Sequence, residues 1–365
     1  KAPFPYFGGK SRAAELIWSR FGSVVNYVEP FFGSGAVLLG RPQPFDGAET
    51  VNDKDGLLSN FWRALSFDPE SVARHADWPV SECDLHARHL WLVEQRESIT
   101  RRLEGDPEYF DVKLAGWWVW GISCWIGSGW CKGDGPWRAE VDEDGHRRLA
   151  LSEAPGIERV RPARGDYGQG VMRRRVSLGR GGQGGRGVHR KIAQVGDLGR
   201  GINRQLVHLG DSGPGLNRLD NLMEYFALLA DRIRNVRVCC GDWSRVLGPS
   251  VTTKHGLTAV LLDPPYSGHE RKKDLYAEDS VDISSEVLAW ATANGGSRLL
   301  RIALCGYEGE HDMPADWECV KWRPRGGYDG QNRDKDNQNR ERERVWFSPH
   351  CVKQTLPLFA SMEDA

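Results

Sequence analysis

The chain has 365 residues, 39% of them apolar and 27% charged, which suits a soluble globular protein of one large domain or two ordinary ones and excludes a fibrous or low-complexity class. Its 49 basic residues nearly balance its 50 acidic ones, leaving a net charge of -1, so contact with nucleic acid has to come from local patches and not from the average. The eight cysteines (Cys83, Cys124, Cys131, Cys239, Cys240, Cys305, Cys319 and Cys351) form no Cys-x-x-Cys pair and do not alternate with histidine at metal spacing. No apolar run approaches the roughly 20 residues of a membrane helix, and Lys1-Ala2-Pro3-Phe4 opens no signal-peptide pattern. The expectation is a cytoplasmic protein with reduced thiols, no metal and no membrane partner.

In chain order, residues 24–28 are predicted as a short apolar strand that ends in Glu29-Pro30-Phe31-Phe32-Gly33-Ser34-Gly35, with a helical stretch over 36–39. A second strand over 49–52 ends at Asp53, before a helix over 57–65. The middle, 68–235, begins helical and charged, then becomes rich in tryptophan (Trp117, Trp118, Trp120, Trp125, Trp130) and finally in glycine and arginine. Tryptophans this dense build either a small core around glycines or a stacking surface for bases.

Between residues 173 and 204, nine basic residues face one acid, Asp197, and a repeat of about fourteen residues runs through Arg186-Gly187-Val188-His189-Arg190, Arg200-Gly201-Ile202-Asn203-Arg204 and Pro214-Gly215-Leu216-Asn217-Arg218. The repeat reads as a looped arm that sets arginines at intervals, with Arg186, Arg190, Arg200 and Arg204 as candidate phosphate contacts; a solvated linker is the alternative. Strands return at 236–240, ending in Gly241-Asp242, and at 259–262, ending in Asp263-Pro264-Pro265-Tyr266. A helix over 284–293, a strand over 299–304 and a closing hairpin of 317–322 with 345–347 complete the pattern. Alternating strands and helices imply a mostly parallel α/β sheet with ligands at the carboxyl ends of its strands. The basic loop Arg271-Lys272-Lys273 is read as a phosphate-holding lid, and the charged run 333–344 as a solvated entry to the hairpin.

Asp263 to Tyr266 is the most specific signal. An aromatic amine is a poor nucleophile because its lone pair is delocalised into the ring. Acceptors for both its protons, the Asp263 carboxylate and the Pro264 carbonyl, would favour a pyramidal nitrogen; Pro265 limits backbone freedom and Tyr266 can stack on the base. Gly33 and Gly35 stand where a strand turns into a helix, letting backbone approach a ligand, and Asp53 lies 20 residues beyond Gly33 at the end of the next strand, where a carboxylate can take ribose hydroxyls. S-adenosylmethionine, NAD or a flavin fits that pair. The third glycine of a dinucleotide fingerprint is missing, which favours a ligand without a pyrophosphate.

Taken in order, Tyr6-Phe7-Gly8-Gly9-Lys10, Glu29 to Gly35, Val51-Asn52-Asp53, Gly241-Asp242-Trp243 and Asp263 to Tyr266 resemble the motifs of the Dam-like DNA adenine methylase family. The resemblance implies a Rossmann-like methyltransferase sheet from residues 1–67 and 236–352, interrupted by a target-recognition insertion over 68–235 and followed by a tail over 353–365. It implies S-adenosylmethionine as methyl donor, S-adenosylhomocysteine as product, no metal, and N6 of a flipped-out adenine in double-stranded DNA as acceptor. A monomer is expected, bacterial or phage-encoded, associated with the nucleoid through DNA. By position, Tyr6, Lys10, Glu29, Pro30, Phe31, Gly33, Gly35, Asp53, Asp242 and Asp263 resemble the cofactor pocket, and Asp263 to Tyr266 the catalytic tetrad. For Asp242 a structural cap is the other reading. Cytosine N4 as acceptor, and a DNA-binding protein without turnover, remain alternatives; a solitary methylase and the modifying half of a restriction system stay equally open.

Overall fold

The computed structural model describes residues 2–4, 6, 10–125, 130–131, 137–141, 145, 147–151, 218–265, 277–322 and 342–353. Its elements run α1 (Ala13–Phe21), β1 (Asn26–Glu29), α2 (Ala36–Leu39), β2 (Ala48–Asp53), α3 (Gly56–Phe67), α4 (Pro69–Ala76), α5 (Glu82–Gly105) and α6 (Val112–Cys124). Then come β3 (Trp137–Val141), β4 (Arg147–Leu151), α7 (Arg218–Ile233), β5 (Val236–Cys240), β6 (Thr258–Leu262), α8 (Ala277–Asn294), β7 (Leu300–Tyr307), β8 (Glu318–Lys321) and β9 (Glu343–Phe347). Residues 1–133 and 202–365 form one compact unit and 134–201 a second, in which β3 and β4 pair as an antiparallel hairpin.

The larger unit is mixed α/β. Among the described residues its sheet has seven strands in the order β5-β2-β1-β6-β7-β9-β8, mostly parallel, with β9 reversed between β7 and β8. Outward from β1, the chain first builds β2 and β5 on one side, then β6 and β7 on the other. This is the doubly wound arrangement compatible with a Rossmann-like fold, and its switch point lies between β1 and β6. The expected hairpin of the last two strands is present. The first strand begins two residues later than expected, at Asn26, with Val25 exposed, and runs on to Glu29.

Both faces of the sheet are covered, which is why β6 buries all five of its residues. Val28, Val260, Leu262, Ile302 and Leu304 point to the face where Val287 and Ala291, one turn apart on α8, pack. The alternating residues point the other way. Tyr27 there meets Trp18 and Phe21 of α1 at ring-centroid distances of 4.9 and 6.2 Å.

The helices after α3 belong to the same compact unit as the sheet, so residues 68–133 of the middle stretch lie with it. Their starts are written in the sequence: Asp55, Asp68, Ser81 and Asp111 each accept a backbone N–H in the first turn of α3, α4, α5 and α6. Trp118, Trp120, Trp125 and Trp130 are buried, and Trp130 Nε1 donates to the Trp118 carbonyl at 3.1 Å while its ring lies over Gly121. The dense tryptophans therefore make a core around glycine, not a free stacking surface. Arg88 is enclosed with them, its guanidinium 4.3–4.9 Å from the Trp78, Trp117 and Trp120 rings. Among the described residues no helix is long and apolar enough to cross a membrane.

Candidate functional site

The carboxyl ends of β1, β2 and β5 are tied together by one residue. Asn52 Nδ2 donates to the Pro30 carbonyl at 3.1 Å and the Gly241 carbonyl at 3.0 Å, and its own carbonyl accepts the Phe32 N–H at 2.9 Å. Three loops that are far apart in sequence are thereby held at one edge of the sheet. Gly33 (φ +50°) and Gly35 (φ +66°) turn the chain from β1 into α2 through the left-handed region that glycine adopts without strain. A Cβ on Gly33 would stand 2.7 Å from the Tyr6 ring, and one on Gly35 2.8 Å from the Phe32 ring. Trp62 Nε1 fixes the turn from α3 by donating to the Gly33 carbonyl at 3.1 Å.

Asp53, at the end of β2, accepts the Gly33 N–H at 3.0 Å on Oδ2 and the Asp55 N–H at 2.9 Å on Oδ1. Desolvation pushes its carboxyl group up to about 6, against the backbone N–H groups that favour the charged form. Tyr6 lies over the turn with 37% of its surface exposed. Burial of the phenol, then the carboxylates of Asp53, Asp55 and Asp263, raise its pKa and keep it neutral.

Glu29 sits beneath this turn, buried, with Oε2 accepting the Tyr27 hydroxyl at 2.8 Å. Burial raises its pKa well above the ordinary carboxylate range, so the group acts as a polar floor. Phe31 stacks on Trp243, centroids 6.1 Å apart. Asp242 is exposed and caps the 3-10 turn Trp243–Val246: its Oδ1 takes the Ser244 N–H at 3.0 Å and the Ser244 hydroxyl at 2.5 Å, and these bonds lower its pKa. Of the two readings of Asp242, its hydrogen bonds are those of a cap.

On the other side of the switch point, Asp263 follows β6, with Pro264 buried and Pro265 exposed. Lys10 reaches it from the segment leading into α1, where its carbonyl accepts the Ala14 N–H; Lys10 Nζ stands 3.0 Å from Asp263 Oδ1. A third charged group stands beside this pair. Glu343, the first residue of β9, places Oε2 3.9 Å from Lys10 Nζ, and the ammonium lies 5.5 Å from the centre of the Trp322 ring. Burial alone would lower the Lys10 pKa, but Asp263, Cys305 and Glu343 outweigh it and raise the value, so the ammonium stays charged.

Strand register explains the meeting. Leu261 pairs with Ala303 and Cys305 with Val345, so Asp263, Cys305 and Val345 continue one row of the sheet, and Tyr307 paired with Glu343 forms the next. Glu343 was missed in the sequence because it closes the charged run 333–344, read as a solvated hairpin entry. At that end the expectation is corrected: Glu343 and Arg344 are 7% and 8% exposed, since β9 runs between β7 and β8.

The sequence-predicted residues thus fall in two groups at the same edge of the sheet, Tyr6, Gly33, Gly35 and Asp53 on one side and Lys10, Asp263 and Pro264 on the other. Tyr266, Arg186, Arg190, Arg200, Arg204, Arg271, Lys272 and Lys273 lie outside the described residues. Comparison with known proteins matches this chain to no family model and to no curated protein.

Proposed function

We propose that this protein is a DNA methyltransferase that moves a methyl group from S-adenosylmethionine to N6 of an adenine flipped out of duplex DNA. The observation that carries the reading is the position of Asp263-Pro264 at the carboxyl end of β6, across the switch point from the left-handed turn at Gly33, with Lys10 paired to Asp263. Crevices at such points are where doubly wound sheets take ligands.

The residues present fit S-adenosylmethionine. The turn at Gly33 has no room for a Cβ beside Tyr6, Asp53 offers a half-buried carboxylate to ribose hydroxyls, and Asn52 Oδ1 is buried without a hydrogen-bond partner among the described residues. When bound there, the cofactor supplies an electrophilic methyl group. The chain's part is to hold the acceptor. Asp263 and the Pro264 carbonyl accept the two amine protons and orient the nitrogen lone pair, and after transfer Asp263 takes the proton that the charged nitrogen releases. Beside this centre burial raises the pKa of both the Tyr6 phenol and the Glu29 carboxyl group. Arg186, Arg190, Arg200, Arg204 and the Arg271–Lys273 loop are the proposed phosphate contacts.

Calorimetric titration with S-adenosylmethionine, followed by incubation with unmethylated duplex DNA and methyl-labelled cofactor, tests the reading. Saturable binding and label in the DNA are expected. Binding without label on diverse duplexes would leave a DNA- or nucleoside-binding protein on this fold.

A further inference from the structure

Buried donors without acceptors are costly, so two of them side by side call for a reason. Arg88, on α5, is 7% exposed, and its Nη1 is buried without a hydrogen-bond partner among the described residues. Nε1 of Trp117, on α6, is in the same state. The two lie together: the guanidinium carbon of Arg88 stands 4.9 Å from the centre of the Trp117 ring, and 4.6 and 4.3 Å from those of Trp78 and Trp120. Ring faces attract the charge, but they do not take N–H hydrogens as an oxygen does. The exposed Lys113, one turn before Trp117, brings its ammonium to 4.4 Å from the same ring. His75 stands near both cations, its pKa lowered by burial first and then by Lys113, with Arg88 adding to the shift and Asp111 opposing it.

We propose that Arg88, Lys113 and Trp117 form a second ligand site, one that takes a phosphate group. It goes beyond the methyltransferase reading and does not rest on it. Three donor groups from two helices need acceptors on several sides. A phosphate group supplies three oxygens, whereas a carboxylate supplies two in one plane. The Arg88 fork meets two of those oxygens and the Trp117 indole N–H the third, while Lys113 adds charge at the rim. Entry is past Trp78, the most exposed of the three rings at 40%, whose carbonyl is held by Trp120 Nε1 at 3.0 Å; the anion reaches Arg88 Nη1 by displacing that ring.

Two acids bear on these cations. Asp84, one turn before Arg88, is exposed, and Asp111 Oδ1 accepts the Leu114 N–H at 2.8 Å. Eight residues further along α5, Arg96 Nη2 stands 3.9 Å from Asp55 Oδ2 at the start of α3. Arg88 therefore lies about 12 Å up the helix from that point, a span of about three to four nucleotides of duplex. A phosphate of bound DNA and free phosphate are both sources that this chemistry admits.

The test follows the indole N–H of Trp117 by NMR of the full chain labelled at tryptophan, the signal being assigned with Trp117→Phe, while inorganic phosphate or a short DNA duplex is added. Potassium chloride of equal ionic strength is the control. Inorganic phosphate is expected to move the Trp117 signal saturably and to raise the thermal unfolding temperature of the wild type. Arg88→Gln should weaken that binding by about tenfold or more, and the exposed Lys113→Ala by about threefold. Should Arg88→Gln fail to fold, Lys113→Ala decides. A duplex that moves the same signal, with Lys113→Ala weakening the effect, identifies the DNA backbone as the source; a response to inorganic phosphate alone identifies free phosphate. A Trp117 signal that neither probe moves beyond the chloride control overturns the proposal, as does a response of equal affinity in wild type and Lys113→Ala. Either failure leaves the methyltransferase reading standing.

Discussion

On the glycine-turn side of the candidate site the backbone does the holding, with Asn52, Asp53 and Trp62 tying loops to one another through N–H and carbonyl groups. On the Asp263 side, charged side chains from three distant segments meet instead: Lys10 before α1, Asp263 after β6 and Glu343 on β9. The first side is built for shape, and its substitutions should act on stability and ligand affinity. The second is built for charge, and its substitutions should act on rate. That contrast can be broken by experiment.

The largest expected effect belongs to the charged side. Asp263→Ala should lower the methyl-transfer rate by about a thousandfold or more while cofactor affinity, measured by calorimetry, changes by only a few-fold. Matching losses in both quantities would return Asp263 to a structural or cofactor role. Next is Gly33→Ala, which forces a side chain into φ +50° and toward the Tyr6 ring. A loss of about 1–3 kcal/mol in unfolding free energy, together with weakened cofactor binding, is expected; Tyr6→Ala in the same chain should relieve the clash but not the backbone strain.

A pH effect sharpens the comparison further. The Asp53 carboxyl group is pushed up to about 6, above its ordinary 3.8, so its protonated form is favoured by folding. Stability from this group is present below pH 3.8 and is lost as pH rises through 6. The same ionisation creates the acceptor proposed for ribose hydroxyls, so cofactor affinity should rise as stability falls across that window. In Asp53→Asn both dependences should flatten, and retention of either in the variant would assign it to another group. The smallest effect is expected at Asp242→Ala: loss of the cap should cost about 1 kcal/mol with cofactor affinity nearly unchanged, whereas a tenfold weakening would make it a ligand contact.

Much of the sheet was legible because its strands are short apolar runs ending in glycine or acid, and because caps such as Asp55 and Asp111 mark helix starts locally. Gly33, Asp53 and Asp263 were legible for the same reason, each ending or following a strand. Glu343 was not, because its burial depends on β9 pairing with β7 as well as with its hairpin partner β8, and no local pattern encodes the β7 contact. Nor could spacing reveal that Asp242 spends its Oδ1 on Ser244, or that Glu29 lies under the turn with Tyr27 and not at its surface. Local geometry is written in the chain; the meeting of charges from its two ends is not.

The central claim is tested most directly by mass spectrometry of nucleosides from duplex DNA incubated with the protein and methyl-labelled S-adenosylmethionine, with Asp263→Ala in parallel. The account predicts labelled N6-methyladenine from wild type and next to none from the variant. Label in N4-methylcytosine would move the acceptor to the other exocyclic amine, and no labelled nucleoside at all would contradict the account.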